Sequence, residues 1–226
     1  MVKVEIVEKV AGLINSAHPE NVDSIYKYGN EEENEDFSDI ALLVILKDAS
    51  SKVLDLYQAS LKKILKKHML KITFFTLEEL KNSLDVFPME FLDMKESRCL
   101  ITGKDHFKSL VIDSKNLRHQ CEYVLRSNIL KLREGYINPG RNINALVSGS
   151  IVSFIAVFRN LLRLNNVDIP GSNKELFSLL AEKLRFNKVV FQDVLENYNS
   201  KNVADLFPMY LQELEKIVIQ VDKLDV

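Results

Sequence analysis

Short apolar runs alternate with amphipathic stretches in the first half of the chain, a pattern that predicts a mixed fold of helices and strands. The run from Ile40 to Leu46 is continuously apolar, as is typical of a strand covered on both faces of a sheet. Thr76 and Glu79 have the spacing of a capping box, which predicts the start of a helix. The predicted elements are, in chain order, helix 2–17, strand 24–28, strand 40–46, helix 51–68, strand 71–75 and helix 77–84.

The second half of the chain has an almost purely helical pattern after Asp113. The segment from Ile143 to Leu164 is apolar nearly all round, which is typical of the central helix of a bundle. The other predicted helices are one whose apolar face runs from Leu117 to Leu132 and which ends near Pro139 and Gly140, and three near 174–184, 189–198 and 203–223. We therefore predict two domains, an α/β domain at residues 1–113 and a helical bundle at residues 114–226.

Composition narrows the classes of function. A hydrophobic content of 46% with 27% charged residues is typical of a globular protein with a core. The net charge of -2 provides no general attraction to nucleic acid or to an anionic membrane, so neither partner is expected. The longest apolar stretch, Ile143 to Phe158, is shorter than the about 20 residues that span a bilayer. A charged N-terminus, with Cys99 and Cys121 interpreted as buried, reduced thiols, favours a cytoplasmic location.

The residues that carry chemistry lie around the start of the second strand. Tyr28-Gly29-Asn30 ends the first strand, an acidic loop follows, and Phe37-Ser38-Asp39-Ile40-Ala41 leads into the apolar strand. This arrangement resembles the signature of the nucleotidyltransferase superfamily, whose fold is shared by DNA polymerase beta and the kanamycin-type antibiotic nucleotidyltransferases. Members have a strand ending in Gly-Ser, a loop, two carboxylates at positions i and i+2 of the next strand, and commonly a further carboxylate on a third strand.

The resemblance extends through residues 76–133 to bacterial members with an appended helical domain. It implies an α+β fold, in which a mixed sheet with flanking helices is followed by an all-α helical bundle. It also implies nucleotide or phosphate binding at Gly29, Asn30 and Ser38, with Asp39 as the candidate catalytic and metal-binding residue. Mg²⁺, a hard ion that takes oxygen ligands, is expected as a cofactor only when a nucleotide is bound.

The carboxylate set is incomplete in this sequence. Asp39 occupies the first position, but Ala41 occupies the second and has no metal ligand, and the strand at 71–75 has no carboxylate. The acids of the 31–36 loop also repel a triphosphate unless a metal intervenes. We therefore expect a protein that binds a nucleoside triphosphate or a protein partner, with weak or no transferase activity.

Two alternatives remain open. One is an active Mg²⁺-dependent transferase that moves a nucleotidyl group from a nucleoside triphosphate to a small molecule or a protein, using Asp39 with carboxylates of the loop or of the helical half. The other is a helical dimerisation module that forms a homodimer. Individual residues also have simpler interpretations, with Asp39 as a strand-start cap, Asn30 as a turn residue, and Arg118 with Glu122 as an intrahelical ion pair.

Overall fold

The computed structural model describes residues 2–29, 41–68, 70–138, 140, 142–197 and 203–225, with side chains from residue 5 onward. The chain divides into two compact units. Unit 1 is Met1–Ile112 and unit 2 is Asp113–Val226. Each unit has its own core of buried apolar side chains.

Unit 1 contains a four-stranded mixed sheet. The elements of unit 1 are α1 (Val2–Ala17), β1 (Val22–Tyr28), β2 (Ala41–Leu46), α2 (Ser51–Leu65), β3 (Lys71–Thr76), α3 (Leu77–Asn82), α4 (Pro88–Ser97) and β4 (Cys99–Gly103), with 3-10 turns at Pro19–Asn21 and His106–Ser109. The strand order of the sheet is β3-β2-β1-β4, in which β2 pairs in parallel with β3 and antiparallel with β1, and β1 pairs antiparallel with β4.

Strand β2 lies at the centre of unit 1, and all of its residues are buried. Its even-numbered residues pack in an apolar cluster with residues of α1 and α2. Its odd-numbered residues pack in a second cluster with residues of α3 and α4. The prediction of a strand covered on both faces is confirmed, because helices lie on both faces of the sheet and strands lie on both sides of β2.

The start of α3 is confirmed and β4 was missed. The backbone N–H of Glu79 donates to Thr76 Oγ1 at 3.1 Å, and that of Thr76 donates to Glu79 Oε2 at 2.7 Å, which completes the capping box. Strand β4 was not predicted because it is short and mostly exposed, and among the described strands it pairs with β1 alone. Its first residue, Cys99, is exposed, so the expectation of a buried thiol is wrong there, whereas Cys121 is buried and both thiols are free.

The described part of unit 2 contains helices and no strand. The elements are α5 (Ser114–Ile137), α6 (Ile143–Leu164), α7 (Asn173–Leu184), α8 (Lys188–Asn197) and α9 (Phe207–Asp222), with a 3-10 turn at Val203–Leu206. Helix α6 packs against the other four helices, and its buried rings Phe154 and Phe158 contact aromatic rings of α7, α8 and α9. It is therefore the central helix, as predicted.

Helix α6 has 22 residues and is the one described helix that is long and apolar enough, by length and composition alone, to cross a membrane. The apolar stretch counted in the sequence ended at Phe158, so the length argument against a membrane span is wrong for the helix as a whole. In the structure 50% of its most apolar window is buried. The buried Ser150 hydroxyl is hydrogen-bonded to Tyr210 of α9 at 2.9 Å. This packing is that of a core helix.

Candidate functional site

Most of the residues that the sequence analysis assigned to the site lie outside the described part of the chain. These are Asn30, Ser38 and Asp39, and their proposed roles stay predictions. Gly29 is described and directly follows β1. The described part of the candidate site consists of the residues that flank the 30–40 segment and their neighbours in the sheet.

One end of the sheet brings these anchors together. Strand β1 ends there, while β2 and β3 both begin there. Tyr28 pairs with Ala41 across the antiparallel ladder, and Ala41 pairs with Lys71 across the parallel ladder. Tyr28, Ala41 and Lys71 thus form a row across three strands, and we call this row together with Gly29 the sheet-end site.

Gly29 forms a turn that is tied to the end of α4. Its φ is 99°, a conformation that disfavours any residue with a Cβ atom. Its backbone N–H donates to Ser97 Oγ at 3.0 Å, and the Ser97 hydroxyl donates to the carbonyl of Asp93 at 2.7 Å. Ser97 was missed by sequence reasoning because it lies far from Gly29 along the chain. The Gly29 N–H is thus already hydrogen-bonded within the protein.

Ala41 is closed off inside the protein. Only 1% of its surface is exposed, and it packs in the apolar cluster that contains Tyr28 and Leu43. A carboxylate at this position would be buried among apolar groups. The second metal-binding position implied by the resemblance is therefore occupied by a methyl group in an apolar environment.

Lys71 stands on the neighbouring strand, beside Ala41. Side chains alternate along a strand, so Lys71 and Thr73 share the sheet face of Ala41 and Leu43, with which they are paired. Lys71 is exposed and Thr73 is half-buried. Within the described residues, neither side chain has a hydrogen bond or an ion pair. This face of β3 therefore presents an ammonium group and a hydroxyl group.

The Tyr28 hydroxyl completes the polar groups of the row. The tyrosine is 9% exposed, and its hydroxyl oxygen is buried without a hydrogen-bond partner in the described structure. A buried hydroxyl without a partner destabilises a protein by about 1–3 kcal/mol. The row thus contains one polar group whose hydrogen bonding is not satisfied by described protein atoms.

The Mg²⁺ pair implied by the resemblance does not fit these residues. Divalent ions require several convergent oxygen ligands, and carboxylates are the usual ones. Ala41 offers no ligand, and the Lys71 ammonium repels a cation. Across the described residues, no group of three or more His, Cys, Asp or Glu side chains is arranged to hold a metal ion.

A side-chain clamp fixes the chain that follows Ser97. Arg98 donates to both carboxylate oxygens of Asp105, from Nε at 3.0 Å and from Nη2 at 2.9 Å. These hydrogen bonds from Arg98 hold the pKa of Asp105 below its ordinary value. The Asp105 carboxylate also accepts from the backbone N–H of Phe107 at 3.1 Å, and the Arg98 guanidinium carbon lies 5.7 Å from the centre of the Phe107 ring. The clamp thereby holds β4 and the end of α4 in place.

The charged residues noted on α5 form an intrahelical network. Glu122 accepts from Arg126 at 2.7 Å and from Arg118 at 3.1 Å. The hydrogen bond from Arg126, with the charges of both arginines, lowers the pKa of Glu122. The interpretation of Arg118 and Glu122 as an ion pair within the helix is confirmed.

Comparisons with known proteins bear on the fold. No protein family and no curated protein matches the sequence. Among solved structures, the chain is similar to the spectinomycin adenyltransferase AAD(9) of Enterococcus faecialis, in a crystal structure with ATP and spectinomycin. The TM-score is 0.63 at 14% identity, over 94% of this chain and 99% of that chain. The chain therefore has a nucleotidyltransferase-like α+β fold, as the sequence predicted.

Proposed function

We propose that this protein binds a nucleotide at the sheet-end site and transfers nucleotidyl groups weakly or not at all. The fold supports nucleotide binding, because the adenyltransferase of similar fold was crystallised with ATP. The similarity covers 99% of that adenyltransferase chain. The observation that supports weak or absent nucleotidyl transfer is the pairing of Ala41 with Lys71. The Ala41 methyl group and the Lys71 ammonium group belong to neighbouring residues at the starts of β2 and β3. The candidate Asp39 lies two residues before Ala41 in the sequence.

The charges at this end of the sheet explain why transfer is weak. Nucleotidyl transfer builds negative charge on the attacking and leaving oxygens, which in this class of reaction is commonly stabilised by two metal ions. Asp39 alone contributes one carboxylate to such a pair. Lys71 opposes cation binding, since two like charges about 4 Å apart repel by about 4 kcal/mol at an effective dielectric constant of 20.

Calorimetry with ATP and Mg²⁺ tests nucleotide binding, and pyrophosphate release in the same solution tests transfer. We expect heat of binding, with pyrophosphate release indistinguishable from a protein-free control. Absence of heat at millimolar ATP, GTP, CTP and UTP would refute nucleotide binding and leave the protein-partner interpretation. An Asp39→Asn variant serves as the matched control, because it removes the candidate carboxylate without changing the size of the side chain.

A second candidate is a working transferase with a small acceptor. It is favoured by the similarity to an adenyltransferase whose crystal structure contains both ATP and the acceptor spectinomycin. In this case the wild-type protein releases pyrophosphate when an acceptor is present, and Asp39→Asn abolishes the release. If neither protein releases pyrophosphate with any member of a panel of aminocyclitols and aminoglycosides, this candidate is rejected for that acceptor class.

A further inference from the structure

A groove runs between α5 and the start of α6 within unit 2. Its volume is about 430 Å³, which falls in the range of small-molecule sites, and most of its surface is apolar. The residues that line it are Asn128, Lys131 and Leu132 of α5, the N-cap Asn142, and Ala145, Leu146, Gly149 and Ser150 of α6. A stable protein interface needs about 20–30 residues on each side. A groove lined by eight residues therefore suits a small molecule better than a partner protein.

Gly149 keeps this groove open in the interior of α6. Glycine is a poor helix former, so a glycine inside a 22-residue helix needs a physical reason. On α5, Gly135 has such a reason, because a Cβ atom there would overlap Leu146 Cδ1. A Cβ atom on Gly149 would have no atom within 4 Å outside the adjoining backbone of α6. Packing within the described chain thus requires Gly135 but not Gly149, and the space beside Gly149 belongs to the groove.

The polar groups of the lining differ in whether the protein already uses them. The Asn128 amide donates to a backbone carbonyl of its own helix at 3.0 Å. The Ser150 hydroxyl is hydrogen-bonded to the Tyr210 hydroxyl at 2.9 Å, and the Asn142 side-chain oxygen caps α6 by accepting from two backbone N–H groups. Lys131 is the one charged residue of the lining, and it has no hydrogen bond or ion pair with a described residue. A negatively charged group would match its ammonium.

We propose that the groove binds a small amphipathic anion with an apolar body and one carboxylate. The body lies along Leu132, Leu146 and Gly149, where the space is open and the lining is apolar. The carboxylate pairs with the Lys131 ammonium at the exposed edge of the groove. This binding requires neither the nucleotide nor the sheet-end site of the proposed function.

Displacement of 8-anilinonaphthalene-1-sulfonate, a fluorescent aromatic monoanion, tests the proposal on the full chain. We expect the wild type to bind the dye, and octanoate to displace it about fivefold more effectively than 1-octanol, the upper end for an exposed ion pair. Lys131→Gln should remove this difference and leave the affinity for 1-octanol unchanged. Lys115→Gln is the matched control, because Lys115 is exposed on the same helix about 24 Å before Lys131.

Gly149→Leu distinguishes binding in the groove from binding elsewhere on the protein. The leucine side chain occupies the groove, so dye binding should be lost. The thermal midpoint should equal or exceed that of the wild type, because leucine is the better helix former and meets open space. Gly12→Leu is the matched control and should retain dye binding, because Gly12 lies on α1 and its Cβ would also have no atom within 4 Å.

Three results would overturn the proposal that the groove is a ligand site. They are absence of dye binding by the wild type, equal dye binding by Gly149→Leu and the wild type, and a lowered thermal midpoint of Gly149→Leu, which would show that the space is not open. Equal displacement by octanoate and 1-octanol, or a difference that persists in Lys131→Gln, would overturn the assignment of an anion paired with Lys131.

Discussion

Replacing Arg98 by Lys tests whether the clamp with Asp105 holds the end of α4 and β4 in place. The substitution keeps the positive charge and removes the planar fork that donates to both carboxylate oxygens. The two side chains are 19% and 15% exposed, so solvent screens the pair less than it screens a surface ion pair.

A lower bound on the magnitude follows from two of the contacts that are lost, because the hydrogen bond that Arg98 Nη1 donates to the Lys95 carbonyl is lost as well. Lys retains one of the two hydrogen bonds to the carboxylate, and the loss of the other costs about 1.5 kcal/mol, the lower end for charged groups. Loss of the guanidinium from the Phe107 ring costs a further ~0.5 kcal/mol. We expect Arg98→Lys to lower the free energy of unfolding of unit 1 by at least about 2 kcal/mol.

Urea denaturation followed by circular dichroism measures this change. For a slope near 2 kcal/mol per molar urea, the midpoint should fall by at least about 1 M. Arg133→Lys is the control, because Arg133 and its partner Glu215 are 48% and 42% exposed and such pairs contribute about 0–1 kcal/mol. Hydrogen exchange of the Gly29 amide should also accelerate in Arg98→Lys, because its acceptor Ser97 immediately precedes the clamp.

A double-mutant cycle gives the result that refutes this reasoning. Arg98 and Asp105 are in direct contact, so the effects of Arg98→Lys and Asp105→Asn should be coupled by at least about 0.5 kcal/mol. Strict additivity would show that the pair does not contribute as a pair. A midpoint change no larger than that of Arg133→Lys would show that burial does not strengthen it.

Three further outcomes are expected. Gly29→Ala should lower the free energy of unfolding by about 1–2 kcal/mol, because the Gly29 φ of 99° disfavours a Cβ atom. Gly149→Ala on α6 is the control and should not destabilise the protein, because no atom lies within 4 Å of the new Cβ. Equal shifts in the thermal midpoint for the two variants would contradict the role of φ. The pKa of Asp105 is lowered from its ordinary value of 3.8, so the ion pair stabilises the fold above that pH, and this contribution is lost as the pH falls through the folded-state pKa. The stability gap between wild type and Asp105→Asn should therefore narrow as the pH falls below 3.8, and a constant gap would argue against the clamp. Tyr210→Phe removes the hydrogen bond to Ser150 inside unit 2 and should cost about 1 kcal/mol in chemical denaturation, and an unchanged midpoint would show that the bond adds no net stability.

The sequence predicted those elements whose pattern is set by burial. Every residue of β2 is buried between two strands and two helix layers, and the same burial makes its sequence continuously apolar. The helix from Ile143 to Leu164 was predicted with its observed limits for the same reason. Strand β4 escaped prediction because an exposed edge strand is under no such constraint, so its sequence, CLITG, has an apolar run of only three residues and no regular alternation.

The candidate site was only partly predictable. The absence of a carboxylate at Ala41 and on the third strand could be read from the residues. That Lys71 is the residue beside Ala41 depends on the register between β2 and β3, which neither strand specifies alone. Gly29 and Ser97 are distant in sequence. They are in contact only because β1 and α4 end at the same end of the sheet.

The strand order also has a consequence for biosynthesis. Strand β1 pairs on one side with β2 and on the other with β4, which is made some seventy residues later. At about 5–20 residues per second, translation leaves that side of β1 without its native neighbour for several seconds. During this interval the nascent chain carries an open sheet edge that other unfinished chains can pair with. A chaperone that binds extended segments near the ribosome would have most effect on this protein before Gly103 has emerged.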